Sequence, residues 1–85
     1  MDTARQQFRI VFSAYRVLRR DRYVYGGPNT HRAEVAAKTI LAFPFALQRA
    51  ASDAFLSSFA TPDDALLYSL QTRRAFRRVG VAVRL

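Results

Sequence analysis

The chain contains no cysteine and only one histidine, His31. Without thiols it can form no disulfide, and it supplies no thiolate to a metal ion or to a nucleophilic mechanism. A single imidazole is also too few for a histidine-rich metal site. We therefore predict that the protein holds no metal and no cofactor, and that so short a chain gains further stability from a partner.

Residues in patterns that support catalysis are also missing. The serines have only His31 as a candidate base, and no spacing links them to it. Asp63 and Asp64 are adjacent, so on a helix they point apart, and they suit the positive start of a helix better than a paired carboxylate site. Gly26 and Gly27 match neither the Walker pattern nor the dinucleotide fingerprint. We predict that the protein is not an enzyme and has no catalytic residues.

Acidic residues and lysine are scarce. The chain has 6 acidic residues against 14 basic ones, Lys38 is its only lysine, and its net charge is +8. Arginine forms bidentate contacts with carboxylates and phosphates and tolerates burial at an interface better than lysine does. The charge predicts an anionic partner, and three kinds fit it: an acidic protein, RNA, or a surface of anionic lipid headgroups.

Long apolar runs are missing as well. The least polar window, residues 39–47, is far shorter than the ~20 apolar residues that a spanning helix needs. We therefore expect no transmembrane segment. The chain is nevertheless 51% hydrophobic and has 7 Phe and 4 Tyr among its 85 residues, which is unlike a disordered basic tail. Its length predicts a single small helical domain over residues 1–85.

Hydrophobic periodicity predicts three helical stretches. They cover approximately residues 3–22, 30–60 and 62–79, and a glycine-rich turn follows the first of them. Pro44 lies inside the second stretch, where its missing N–H either kinks one helix or separates two. We expect an all-α fold, a small bundle or hairpin of about three helices that docks on partner subunits.

The spacing of apolar residues predicts the apolar faces of the first and the last helix. In the first helix the face is predicted to contain Phe8, Val11, Phe12, Tyr15 and Leu18. In the last helix it is predicted to contain Leu66, Leu67 and Leu70. Thr61 is expected to cap the start of this last helix, with Pro62 at its first position, and Gly80 is expected to end it.

The end of the first helix resembles the LYR family of small mitochondrial proteins. That family carries a Leu-Tyr-Arg tripeptide early in its first helix, followed by a Leu-Arg step. Tyr15 and Arg16 match the second and third positions of the tripeptide, and Leu18 and Arg19 match the later step. Ala14 stands where the family usually has Leu.

The resemblance implies a partner, the mitochondrial acyl carrier protein, which is very acidic. Members of the family are accessory subunits of respiratory complex I, assembly factors, or proteins of iron–sulfur biogenesis. The residues expected to meet an acidic surface or phosphate are Arg16, Arg19, Arg20, Arg22, Arg73, Arg74, Arg77 and Arg78. Those expected to contact an acyl chain, or to lie in the core, are Phe12, Tyr15, Phe43 and Leu47.

The arginine-rich, amphipathic N-terminus is similar to a mitochondrial targeting sequence. Taken together, these features predict a non-enzymatic accessory subunit of a large mitochondrial assembly, first of all of the respiratory chain. It is expected at the inner membrane, on the matrix side, without spanning it. Two alternatives remain open: a mitochondrial ribosomal protein whose arginines contact rRNA, and a peripheral protein that a cationic helix holds on anionic lipid.

Overall fold

The computed structural model describes residues 3–20 and 30–80. They form four α-helices: α1 (Thr3–Arg20), α2 (Thr30–Leu41), α3 (Phe45–Leu56) and α4 (Pro62–Arg78). The all-helical prediction is therefore confirmed for this part of the chain. The second predicted stretch, 30–60, consists of α2 and α3 and ends at Leu56, four residues early. The last helix ends one residue earlier than expected, and the final two residues predicted for the first helix lie outside the described residues.

Pro44 separates α2 from α3. It has φ −57° and ψ 145° and precedes the first residue of α3. Its ring nitrogen has no hydrogen to continue α2, but its carbonyl accepts bonds from the amides of Leu47 and Gln48 at 3.0 and 3.1 Å. The Gln48 side-chain amide donates to the Phe43 carbonyl at 2.7 Å. Of the two outcomes that the sequence allowed, a kink or a break, the structure shows the break.

The face predicted for α1 lies in the core. Val11, Tyr15 and Leu18 are buried, and Phe8 and Phe12 are partly buried against them. α1 packs on both α2 and α3, whereas α4 packs chiefly on α2. The residues that α2 buries are mostly small, and they are Ala33, Ala36, Ala37 and Ile40. Such small side chains let the helix backbones approach closely.

A chain of stacked aromatic rings joins α1, α3 and α4. The ring of Phe55 lies 5.3 Å from that of Phe12, 5.5 Å from that of Phe59 and 5.1 Å from that of Tyr68, between centroids. Tyr15 meets Phe55 edge-on at 6.2 Å. Aromatic pairs at such distances add to the stability that burial of their area supplies. Through Tyr68 this cluster links α4 to α1 and α3, in addition to the packing of α4 on α2.

The residues predicted to start and to stop α4 act as expected, although the helix itself ends at Arg78. The Thr61 hydroxyl accepts a bond from the Asp64 amide at 3.2 Å, and Pro62 occupies the first turn. At the other end Gly80 has φ +82°, a left-handed conformation that glycine adopts without steric cost. Its amide donates to the Arg77 carbonyl at 3.0 Å.

The prediction that Leu66, Leu67 and Leu70 form the core-facing side of α4 is wrong. Leu66, Leu67 and Leu70 are 60%, 55% and 46% exposed. The side that packs on the core is a second stripe at helical spacing, which consists of Tyr68, Thr72, Ala75 and Phe76.

Two hydrogen bonds explain why the more polar stripe is the buried one. The Tyr68 hydroxyl donates to the Tyr15 carbonyl at 3.0 Å, and the Thr72 hydroxyl donates to the Tyr68 carbonyl at 2.8 Å. Each buried hydroxyl thus has a partner, which removes the main cost of burying it. Tyr68 and Phe76 then bring large rings to the core that the leucines could not match.

Candidate partner-binding surface

The outer face of α1 carries a stripe of arginines. Its members are Arg5, Arg9, Arg16 and Arg20, and all four are exposed. They follow one another after four, seven and four residues, a spacing that places them on the same side of a helix. No Asp or Glu occurs between Thr3 and Arg20. Within α1 the stripe therefore carries positive charge only.

Apolar side chains flank the arginine stripe on the side of α3. Phe8 and Phe12 are stacked with their centroids 6.0 Å apart and are only partly buried. Together with Arg9, Ser13 and Arg16 they line a shallow hollow. A partner that meets the arginines here would also cover aromatic surface.

A second, more apolar groove flanks the stripe on the side of α2. Ile10 and Val35 face it with 43% and 49% of their surface exposed. Its other lining residues are Ser13, Ala14, Val17, His31, Arg32, Ala36 and Thr39. The Thr39 hydroxyl donates to the Val35 carbonyl at 2.9 Å, so this polar group is satisfied within α2.

Arg19 differs from the arginines of the stripe. Its guanidinium carbon lies 4.2 Å from the Phe59 ring centroid and 5.9 Å from that of Phe55. A guanidinium over an aromatic face is attracted by the ring and is held in place. Arg16, Arg19 and Arg20 nevertheless line one hollow beside Phe55, so the structure brings these three predicted residues together.

The remaining predicted arginines do not join them. Arg22 lies outside the described residues. Near the end of α4 four arginines are exposed: Arg73, Arg74, Arg77 and Arg78. None of them lines the hollow beside Phe55. The Arg78 Nε lies 3.5 Å from the Glu34 Oε1, so this residue helps to join α4 to α2. The structure therefore has two separate groups of arginines.

The residues expected to contact an acyl chain belong to the core or to its edge. Phe12, Phe43 and Leu47 are partly buried against the core, and Tyr15 is 1% exposed. Burial raises the pKa of the Tyr15 hydroxyl above its ordinary value, which a hydrogen bond with the Ser52 side chain partly opposes. These positions are well placed to support the fold.

Residues 3–20 and 30–80 contain no group of three or more His, Asp or Glu side chains that could hold a metal ion. Within the same residues, no helix combines the length and the apolar character needed to cross a membrane.

The groove between α1 and α2 is a feature that sequence reasoning missed. Ile10 and Val35 lie beside the apolar stripes of their helices, and helical spacing alone counts such flanking apolar residues as part of the buried face. A signal was present in α1: Ile10 lies three residues before Ser13 and seven before Val17, on a row displaced from the main stripe. The position of Arg19 over the aromatic rings could not be found from the sequence, since Phe59 follows it by forty residues.

Comparison of this chain with protein-family models, with curated proteins and with solved structures finds no match.

Proposed function

We propose that this protein is a non-enzymatic accessory subunit that binds an acidic protein partner through α1. The observation that carries the proposal is the exposed stripe of Arg5, Arg9, Arg16 and Arg20 on a helix segment without acidic residues. Clustered arginines attract a complementary acidic surface and orient it during encounter. Their planar guanidinium groups also suit bidentate contacts with carboxylates.

The apolar surfaces beside the stripe favour a folded protein over a phosphate backbone. Ile10 and Val35 remain about half exposed on one flank, and Phe8 and Phe12 are partly exposed on the other. Protein interfaces combine an apolar centre with charged residues around it. Binding to a nucleic acid backbone needs the positive charge but gains little from exposed aliphatic side chains.

More specifically, we propose that the partner is the mitochondrial acyl carrier protein and that the complex is an inner-membrane assembly of the respiratory chain. Support comes from the resemblance around Tyr15 and Arg16, from the net charge, and from the targeting-like N-terminus. Arg16, Arg19 and Arg20 are the residues proposed for the acidic contact. The acyl chain would lie against Phe12, Phe43 and Leu47 or in the groove beside Ile10.

The test is a titration of the purified chain with acyl carrier protein, followed by calorimetry. The variant carries Arg9→Glu and Arg16→Glu, which reverse two exposed charges in the middle of the stripe. The control carries Lys38→Glu and Arg49→Glu, which change the net charge equally on α2 and α3. We expect the stripe variant to bind ~10- to 100-fold more weakly and the control to stay within about threefold of the parent chain.

Equal weakening by both variants would show a response to total charge alone and would contradict a docking site on α1. No binding of the acidic protein, together with tight binding of rRNA fragments that weakens steeply with salt, would favour the ribosomal alternative. Comparing carrier protein with and without an attached acyl chain then tests the finer proposal, because only the acylated form gains affinity from an apolar groove.

A further inference from the structure

The outward side of α4 is apolar at its centre and charged at both ends. Leu66, Leu67 and Leu70 are 46–60% exposed. Three exposed leucines within two turns form a contiguous apolar patch rather than scattered single residues. Such a patch on so small a molecule indicates a surface that another molecule covers.

The charges on this side of α4 are ordered along the helix. Asp63 lies before the leucines, and Arg74 and Arg77 lie after them, all of them exposed. The helix therefore presents an acidic end, an apolar middle and a basic end on one face. A surface with this order is complementary to itself when a second copy runs in the opposite direction.

The spacing of these residues is that of a two-helix seam. Asp63, Leu67, Leu70, Arg74 and Arg77 follow one another at intervals of four, three, four and three residues. This alternation keeps side chains on the seam between two packed helices. It also lies opposite the buried stripe of Tyr68, Thr72 and Phe76, so the seam faces away from the molecule's own core.

We propose that two copies of this chain pair through α4 in an antiparallel arrangement related by a two-fold axis. Leu67 of each copy packs on Leu70 of the other, so that the leucines form two equivalent contacts around the axis. Asp63 of each copy then comes opposite Arg74 of the other, with Arg77 one turn further along. A parallel pair is disfavoured, since it would place Asp63 against Asp63 and Arg74 against Arg74.

Charge order favours a second copy over an anionic membrane as the occupant of this face. An anionic membrane would meet Asp63 and Asp64 at one end of the patch and be repelled there. In the two-fold pair, by contrast, Asp63 at one end of each patch meets Arg74 of the other copy, so both charged ends gain a partner of opposite sign. One helix pair buries less than the ~800 Å² per partner of a standard interface, so we expect a weak dimer with a Kd of about 10–100 µM.

The first test measures self-association by sedimentation equilibrium over a series of protein concentrations from micromolar to millimolar. The parent chain is expected to shift from monomer to dimer. Leu70→Asp should weaken the dimer at least ~100-fold, because each dimer then buries two carboxylates in its apolar centre. The matched control is Phe45→Asp, a change at a 59% exposed residue on α3, and it should leave the Kd within about twofold.

The second test reverses the charges. Asp63→Arg alone and Arg74→Glu alone should each weaken the homodimer by about tenfold, because two attractions become two repulsions. The double variant should return the Kd to that of the parent chain. A mixture of the two single variants should form heterodimers in preference to either homodimer, since both contacts between positions 63 and 74 then join opposite charges. Circular dichroism of each variant checks that α4 still forms.

A chain that stays monomeric to millimolar concentration would overturn the proposal. Self-association that Leu70→Asp leaves unchanged, or that single charge reversals do not weaken, would also overturn it, since either result places the contact elsewhere or in the parallel direction.

Discussion

α1 and α4 are both amphipathic helices rich in arginine, yet they use their apolar residues in opposite ways. α1 buries the stripe that contains Val11 and Leu18, each 0% exposed. α4 turns Leu66 and Leu70 outward and buries a stripe that contains Tyr68 and a threonine. Leu66 and Leu70 of α4 follow helical spacing, as the apolar residues of α1 do. Such spacing by itself therefore does not decide which side faces the core.

The difference shows what a periodic pattern can and cannot reveal. Spacing at three and four residues says which side chains share a side of a helix. When a helix has two such stripes, the buried one is chosen by the partners available in space. For α4 these partners surround Tyr68: its hydroxyl donates a hydrogen bond to the Tyr15 carbonyl, and its ring stacks on Phe55. Both partners come from other helices, and Tyr15 is far away in sequence.

The largest expected effect on the free energy of unfolding comes from comparing alanine substitutions of one leucine in each helix. Leu18→Ala should reduce the free energy of unfolding by about 2–5 kcal/mol, because a fully buried side chain leaves a cavity. Leu70→Ala should change it by no more than ~0.5 kcal/mol, because the side chain is already 46% exposed. Urea denaturation at low micromolar concentration measures both, since the chain is then monomeric under our dimer proposal.

The volume-conserving variant Leu18→Met controls for general intolerance of α1 to substitution. It should cost less than ~1.5 kcal/mol. Equal destabilisation by the two alanine variants would contradict the inverted packing of α4.

A second prediction uses the buried hydroxyl that α1 contributes to the contact with α3. Burial raises the pKa of Tyr15 above its ordinary 10.0. The folded state therefore holds this proton to higher pH than the unfolded state does. The stabilising contribution is complete below about pH 10 and is lost as the pH rises towards the folded-state pKa, with a slope of at most ~1.4 kcal/mol per pH unit.

Denaturation curves at a series of pH values, from neutral to strongly alkaline, test whether stability falls with rising pH as predicted. The parent chain should lose stability above about pH 10 more steeply than the Tyr15→Phe variant, which has no proton to lose at this position. Parallel profiles for the two proteins would show that the Tyr15 hydroxyl is as accessible to solvent in the folded chain as in the unfolded one.

Much of the fold could be predicted from local chemistry. Four features depend on residues within a few positions of one another: the buried face of α1, the cap at Thr61, the left-handed Gly80 just after α4, and the interruption at Pro44. Local steric and hydrogen-bonding rules are sufficient for such features. The choice between a kink and a break at Pro44 needed the structure, because it depends on where α3 packs.

The candidate surface was predictable in part. The grouping of Arg16 and Arg20 on one side of α1 follows from helical spacing alone. The separate location of the α4 arginines does not, because it depends on how α4 packs on α2. The same is true of Arg19, whose aromatic contacts come from α3 and the residues after it. Spacing thus located the charges along each helix, while tertiary packing set their neighbours.

The smallest expected effect concerns the ion pair that joins α4 to α2. Arg78 and Glu34 lie 3.5 Å apart, and their side chains are 41% and 33% exposed. Water and salt screen such a pair, so Glu34→Gln should cost only about 0.2–0.5 kcal/mol, and less at high salt. Because Arg78 has further interactions, a double-mutant cycle with Arg78→Gln isolates the coupling between the two groups. A coupling well above ~1 kcal/mol would mean that charge fixes α4 as strongly as the aromatic contacts of Tyr68 do, whereas the expected small value leaves the buried ring as the main anchor of this helix.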